Sequence, residues 1–523
     1  MNTIQLMILT FLVLMTSARV SSLRILGIFT HFGKSHFDVF QPIMQELSER
    51  GHDVTVLSYH PQPAAGYKDL VLESDIYTGN SLLAFDMLMP GYPGQFLEVF
   101  LVHELAREGC EFGLKSQPVR ELLKSKKKFD LIIIEAFNTD CYLGLVHRLK
   151  APFIHISSST SLPWFTSRFG QPDNPAYISN LFMGFSDKLG FGARVINTMD
   201  HIWTNLLYQY YITPRDYEFA KAAFGNDLPR LEDIAMNVSL YIINEHFTIQ
   251  RSKPTVPAVI NVGGVHLAKK VIKKLPKNIE KWINESKDGV IYFSMGSMIK
   301  GHTFPEEKRK IFLKAFGRLK QRVLWKWENE TMPDKPDNVM IQKWMPQYDI
   351  LCHPNVKAFI AHGGLLGTTE AVHCGVPVVV MPQFGDQHTN ARALEAGGGG
   401  VVLNFREADE EMVYNALKTV LDPEFNKKAK ELSARFRDRP MSPMDTAIYW
   451  IEYVARHKGA HHMRTAAVGM PLYQYLLLDV FGFLAVCTLS ILFIGIYVTK
   501  LFFRLVMSMF SKSDKKQKKL KKN

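Results

Sequence analysis

Short strand-like apolar runs, alternating with helix-patterned segments, recur in two separate stretches of this chain. That recurrence limits the fold more than any other feature. The first series opens with RILGIFT (24–30), an amphipathic stretch over Phe37–Arg50 closed by Gly51, and DVTVLSY (53–59), a β-α-β unit with short connections. DLIIIE (130–135), a helix around Cys141–Leu149, and APFIHIS (151–157) repeat it. The second series runs GVIYFSMGS, RVLWKWE, NVMIQKW, VKAFIAHGG, PVVVMP and GVVLN, alternating with helical segments. Nearly continuous apolar strands separated by helices predict mostly parallel sheets covered on both faces. The fold class is therefore α/β, with two doubly wound Rossmann-like domains facing across a cleft. A length of 523 residues agrees, being more than one core usually organises.

The expected boundaries follow from composition. Residues 1–22 read as a secretory signal and 23–250 as the first domain. The break falls near RSKPTVPAVINVGG (251–264), where prolines and glycines cluster, and the second domain occupies 251–437. A helical return segment and linker take 438–475. Residues 60–125 alternate little and are expected as helices over the sheet edge. Residues 160–235, rich in Phe, Tyr and Trp, are expected to be helical and to suit an apolar-lined pocket.

The uncharged run 480–498 is long enough to cross a bilayer, so a transmembrane helix is expected over 476–499 and a basic cytoplasmic tail over 500–523. The last five residues, Lys519-Leu520-Lys521-Lys522-Asn523, resemble a dilysine retrieval signal, which places the expected body in the endoplasmic-reticulum lumen as a single-pass type I protein. From Lys500 onward there are nine basic residues and one acidic one, eight of the twelve net positive charges. The remainder is nearly balanced, which argues against nucleic acid as a partner. Sequons at Asn237, Asn284 and Asn329 fit luminal exposure. Four scattered cysteines outside the span, Cys110, Cys141, Cys352 and Cys374, show neither a disulfide framework nor metal-ligand spacing, so a fold independent of disulfides is expected. A homo-oligomer is compatible with the chain.

The chemistry-bearing residues follow strands. AHGGLLGTTEA (361–371) ends one strand and opens a helix. Glycines there let the backbone approach a ligand, and a helix N-terminus offers free N–H groups to a diphosphate. His362 adds a hydrogen bond, and Glu370 suits two vicinal hydroxyls, as on a ribose. Trp344 and Gln347 offer an indole face and an amide for a planar base. Asp386 and Gln387 offer a carboxylate and an amide to sugar hydroxyls, and Ser297 closes a small-residue turn suited to phosphate. In the first series, His36 begins the helix after the first strand. A histidine poised near neutrality is a fitting general base for a hydroxyl nucleophile, and His31 is the less well placed rival. Its carboxylate partner is Glu135, at the end of DLIIIE, or Asp140, five residues on.

This ordered set resembles the donor-binding signature of the family 1 UDP-dependent glycosyltransferases, in their membrane-bound animal branch and with arthropod-like wording. The resemblance covers residue 24 to the span. It implies a GT-B fold, a UDP-sugar bound by the C-terminal half and a small lipophilic acceptor bound by the N-terminal half. It assigns Trp344 and Gln347 to uracil, Glu370 to ribose, Ser297, His362 and the Gly364 backbone to diphosphate, and Asp386 and Gln387 to the sugar. The implied reaction is inverting transfer of a hexose to a hydroxyl, with His36 as base. Asp140 is slightly preferred as its partner, because it has the carboxylate length that the resemblance implies. Glucose is the first choice of sugar and glucuronate the second; a non-catalytic UDP-sugar-binding membrane protein is the alternative from another class. The chain departs from relatives at Leu366, often Asn, and at Lys253-Pro254, where vertebrate relatives have Arg-Pro; a lysine keeps the charge but not the fork. No Asp-x-Asp occurs, so neither a metal nor another cofactor is expected beyond the UDP-sugar co-substrate.

Overall fold

A computed structural model describes residues 22–73, 91–185 and 188–520, with backbone alone at 91–94 and 513–520. The expected signal up to residue 21 and the last three residues of the retrieval motif lie outside the described residues.

Residues up to Thr465 form one compact unit built on two parallel sheets. The first contains β1 (Arg24–Phe29), β2 (Asp53–Ser58), β3 (Lys68–Val71), β4 (Leu131–Glu135), β5 (Phe153–Ser157), β6 (Tyr241–Ile243) and β7 (Val259–Asn261). Their spatial order is β3-β2-β1-β4-β5-β6-β7. The second contains β8 (Val290–Ser294), β9 (Arg322–Lys326), β10 (Val339–Gln342), β11 (Val356–Ala361), β12 (Val378–Val380) and β13 (Gly400–Val402), ordered β10-β9-β8-β11-β12-β13. In each sheet the order reverses beside its first strand, between β1 and β4 and between β8 and β11. Ligands of doubly wound sheets bind at such switch points, beyond the carboxyl ends of the strands.

The strands form where the sequence is apolar on both faces: Ile132, Ile133 and Ile134 of β4, and Val378, Val379 and Val380 of β12, are all buried. Burying one such side chain is worth about 1.5–3 kcal/mol, so these runs dominate the core energetics. Helix α1 (Lys34–Glu49) follows β1 and buries Phe37, Phe40, Ile43 and Leu47 against the sheet. Two longer helices, α2 (Gly91–Gly113) and α3 (Phe191–Leu207), lie in the insertions of the first half. In the second half, α4 (Leu365–Cys374) follows β11 and α5 (Gln387–Ala396) follows β12. Helix α6 (Pro443–Arg456), capped by Ser442 accepting from the Asp445 N–H at 3.0 Å, returns to the first half. Its Ala447, Ile448, Ile451 and Val454 join the first core.

Three expectations are corrected. The break expected at residue 250 falls inside the first sheet, because β7 pairs with β6, and the crossing to the second sheet comes after Asn261. The span 60–125 holds edge strand β3, a four-residue run with no apolar alternation to reveal it. The four cysteines outside the span pair as Cys110–Cys141 and Cys352–Cys374. Each pair joins residues that are distant in sequence but brought together by packing, which spacing alone does not show.

Residues from Ala466 form a separate unit. Helix α7 (Leu478–Leu520) is apolar enough over Leu478–Lys512 to cross a membrane. It runs on past the expected end at residue 499 because the Lys- and Arg-rich tail, without Gly or Pro, still favours helix.

Candidate active site

At the switch point of the first sheet, α1 presents His36 and the end of β4 presents Glu135. His36 Nδ1 lies 2.8 Å from Glu135 Oε1 and 2.9 Å from Ser158 Oγ. These partners hold the proton on Nδ1 and leave Nε2 as the basic nitrogen. Burial, and then the nearby His60, push the His36 imidazole down to about 3, so it is neutral at physiological pH. Burial pushes Glu135 up to about 7, against the opposing pull of His31. His31 stacks on His36 with ring centroids 4.0 Å apart and planes 22° apart, and its Nδ1 accepts from the Gly33 N–H at 2.9 Å. Phe137 packs edge-on to His36 at 4.5 Å.

His31, His36 and Glu135 each offer a metal-binding atom, all within 4.8 Å of one another. The nearly parallel rings set their lone pairs side by side rather than toward a common point. The geometry suits a hydrogen-bonded pair with a stacked second imidazole better than a metal cage.

Asp140 is not beside His36. It is buried, accepting from Arg168 Nη1 at 3.0 Å and from the Tyr208 hydroxyl at 2.7 Å, with Arg168 Nη2 closing a bidentate pair. Burial alone would raise its carboxyl, but Arg168, with His155 and Tyr208, holds it below the usual aspartate range. The preference for Asp140 is therefore corrected: five residues past β4 its carboxylate points into the core, while the longer arm of Glu135 reaches the imidazole.

At the switch point of the second sheet, the Ser294–Ser297 turn after β8 meets His362 after β11. The ring of His362 is wedged between glycines: a Cβ on Gly296 (φ +80°) would lie 2.4 Å from its Cε1, and one on Gly364 would lie 2.5 Å from its Nε2. Burial, then Lys326, bring His362 down to about 4, so it too is neutral. Its Nδ1 has no hydrogen-bond partner among the described residues. Gly364 is the N-cap of α4 and brings no side chain to the helix end. Ser297 is half-buried in the same turn.

Glu370, one and a half turns along α4, is buried, accepting from Gln347 Nε2 at 2.7 Å and Lys270 Nζ at 2.9 Å. Gln347, expected at uracil, thus holds the expected ribose carboxylate. Trp344 is 66% exposed, with an open indole face. After β12, Asn390 Nδ2 donates to Asp386 at 2.9 Å, and burial lifts Asp386 to about 6. Gln387 turns its carbonyl oxygen back to the Gln383 N–H at 2.9 Å, tying the loop together.

The two halves meet around this loop. The Gly385 N–H donates to Glu98 of α2 at 2.9 Å, and the Thr389 hydroxyl donates to the Leu181 carbonyl at 2.7 Å. Lys253 pairs with buried Glu245 at 2.9 Å. Sequence reading missed Ser158, Lys270, Lys326 and Glu98. Ser158 had a signal, the hydroxyl cluster that follows β5; the others belong to no motif. The sequon residues Asn237, Asn284 and Asn329 are all exposed.

Comparison with known proteins gives the family and the fold. Residues 95–516 match the family model described as "UDP-glucoronosyl and UDP-glucosyl transferase". The chain is 45% identical to UDP-glycosyltransferase UGT5 of Dactylopius coccus, over 96% of this chain and 97% of that one. It is 39% identical to UDP-glucosyltransferase 2 of the same organism, over 98% of each chain. With UDP-glucuronosyltransferase 2B30 of Macaca fascicularis it shares 32%, over 90% and 91%. Among solved structures, the glycosyltransferase VinC in complex with DTDP superimposes with a TM-score of 0.57, covering 83% of this chain and all of that one at 16% identity. CalG4, the calicheamicin glycosyltransferase, gives 0.53 over 84% and 99% at 18% identity. These last two show the GT-B fold alone. The chain belongs to the family of UDP-glucuronosyl and UDP-glucosyl transferases, enzymes that move a hexose from a UDP-sugar.

Proposed function

We propose that this enzyme transfers glucose from UDP-glucose to a hydroxyl of a small lipophilic acceptor, with inversion at the anomeric carbon. The observation that carries this reading is the pairing of switch points. His36, anchored through Nδ1, stands at one, and the glycine-wedged His362 with the α4 N-terminus stands at the other. The acceptor oxygen attacks the anomeric carbon while His36 Nε2 takes its proton, and Glu135 stabilises the resulting imidazolium. The bond from the anomeric carbon to the diphosphate breaks, and its electron pair leaves with UDP. Backbone N–H groups at α4, Ser297 and His362 would hold the diphosphate without a metal. Trp344 would stack on uracil, Glu370 would take the ribose hydroxyls once Gln347 and Lys270 yield them, and Asp386 with Gln387 would face the sugar.

The acceptor assignment is supported by the apolar surroundings of His36. Phe137 packs on the His36 ring, Phe32 and Leu105 join Thr30, Asn138 and Thr139 in lining a hollow beside His31, and Leu97, Leu101 and Leu105 form an exposed apolar face of α2. Glucose is supported by the name of the 39% identical relative; glucuronate is the second reading, supported by the 32% identical one. Two disulfides and three exposed sequons support a luminal body, anchored in the endoplasmic-reticulum membrane by α7.

The test is a microsomal assay of UDP-glucose against UDP-glucuronate over phenols, steroids and fatty alcohols. Glucoside formation that disappears in His36→Ala is the expected result. Product from UDP-glucuronate alone would replace the sugar assignment, and no product from either donor would favour a UDP-sugar-binding protein.

A further inference from the structure

The diphosphate end of the expected donor site leaves one question of charge. UDP brings a diphosphate carrying two or more negative charges, and more charge develops on it as the glycosidic bond breaks. Ser297 and the Gly364 backbone are neutral, and His362 is held neutral by its surroundings. A buried diphosphate met only by neutral donors lacks the stronger, charge-assisted hydrogen bonds that a cation supplies.

Among the described residues, Lys326 brings a cation to this end of the site. Lys326 is the last residue of β9, the strand beside β8, so its side chain lies next to the turn that follows β8. Its side chain is 9% exposed. Nζ donates to the Gly296 carbonyl at 2.6 Å and lies 5.8 Å from the centre of the Trp344 ring. Gly296 is the residue on which the His362 ring packs. Lys326 thus stands where the expected base platform, the phosphate turn and the histidine converge. Its one described carboxylate contact, Glu328 at 3.3 Å, is itself half-buried and also accepts from the His302 N–H at 3.0 Å.

We propose that Lys326 is a diphosphate-binding residue whose ammonium is the counter-charge of UDP in the ground state and of the departing diphosphate during transfer. The proposal rests on the UDP-sugar reading of the second half. Propping the turn through the Gly296 carbonyl is the plainer role for the same contact, and charge and propping predict different ligand dependence.

The experiment measures equilibrium binding of UDP, UMP and uridine to the full-length enzyme in detergent, for wild type, Lys326→Gln and Lys326→Arg. Glutamine keeps a donor for the Gly296 carbonyl but removes the charge. The expected result is a loss of UDP affinity of about tenfold to a hundredfold in Lys326→Gln, a smaller loss for UMP, unchanged uridine binding, and recovery in Lys326→Arg. Unchanged UDP binding in Lys326→Gln, or equal losses for all three ligands, would overturn the proposal. Failure of Lys326→Arg to recover UDP binding, with uridine binding intact, would also overturn it. A wild-type enzyme that binds none of the three would instead remove the donor reading on which the proposal rests.

Discussion

His36 Nδ1 stands 2.8 Å from Glu135 Oε1, whereas both carboxylate oxygens of Asp140 are taken up by Arg168 and Tyr208. The two carboxylates therefore have separable roles. Glu135→Gln should leave the fold intact and lower kcat by about a hundredfold to ten-thousandfold. Glu135 is lifted to about 7. Below that pH it is protonated and accepts poorly from Nδ1–H, so wild-type kcat/KM should rise with pH through about 7, and Glu135→Gln should flatten the rise. A pH–rate profile for both proteins checks this, and near wild-type kcat in Glu135→Gln would remove Glu135 from the mechanism.

Asp140→Asn should act on stability. It leaves the Arg168 guanidinium buried without its counter-ion, a loss of about 3–5 kcal/mol. Because the Asp140 carboxyl is held below the ordinary aspartate value of 3.8, its contribution is present above that value and lost as pH falls through the depressed one. Thermal melts should separate wild type from Asp140→Asn at neutral pH and converge in acid. An unchanged melting temperature at pH 7 would show that the buried pair contributes nothing net.

Glu370 gives a test of the ribose site that does not need turnover. Both its oxygens are occupied, by Gln347 and Lys270, at distances ribose hydroxyls would reproduce. Wild type should bind UDP more tightly than its 2′-deoxy analogue, by roughly tenfold or more for a hydrogen bond to a charged group. Glu370→Ala should weaken UDP and erase the preference. A preference that survives in Glu370→Ala would place the ribose elsewhere.

Much of this was legible in the sequence because strand ends locate themselves. The strands carrying the candidate site are apolar runs that stop at a polar residue, Thr30, Glu135, Ser294 or His362, and the parallel topology brings those stops to the carboxyl edge of each sheet. His36, His362, Ser297 and Glu370 were found that way. What was illegible depends on packing between distant segments. Asp140 and Glu135 are both near the end of β4, and only the position of Arg168 decides which faces the core. β6 and β7 are three residues each, too short for a period to show. Lys326 and Glu98 acquire a role only from neighbours on other strands or in the other half.

The disulfides are another such case, and the Cys352–Cys374 pair predicts a stability effect. Cys352–Cys374 joins the residue after the helix preceding β11 to the last residue of α4, so it brackets the strand and helix that carry His362 and Glu370. Closing a loop of that size contributes about 3 kcal/mol in the chain-entropy model. Cys374→Ser should lower the melting temperature, and UDP should restore part of it by binding the folded state. Differential scanning fluorimetry with and without UDP reads both; an unchanged melting temperature would show that the fold does not rely on this pair.

Leu366 separates packing from donor chemistry at the start of α4. It is half-buried and packs against the core of the first half, so it bridges the cleft rather than facing phosphate with a polar group. Leu366→Asn places an amide at this position and removes part of that apolar contact. The exchange should cost about 1–2 kcal/mol of stability for a partly buried leucine. Donor affinity should be kept or tightened, because an amide near the α4 N-terminus adds a hydrogen-bond donor without disturbing the backbone N–H groups. Melting temperature and UDP binding measured on the same preparation decide the matter. A large loss of UDP affinity would show that the diphosphate does not lie at the N-terminus of α4.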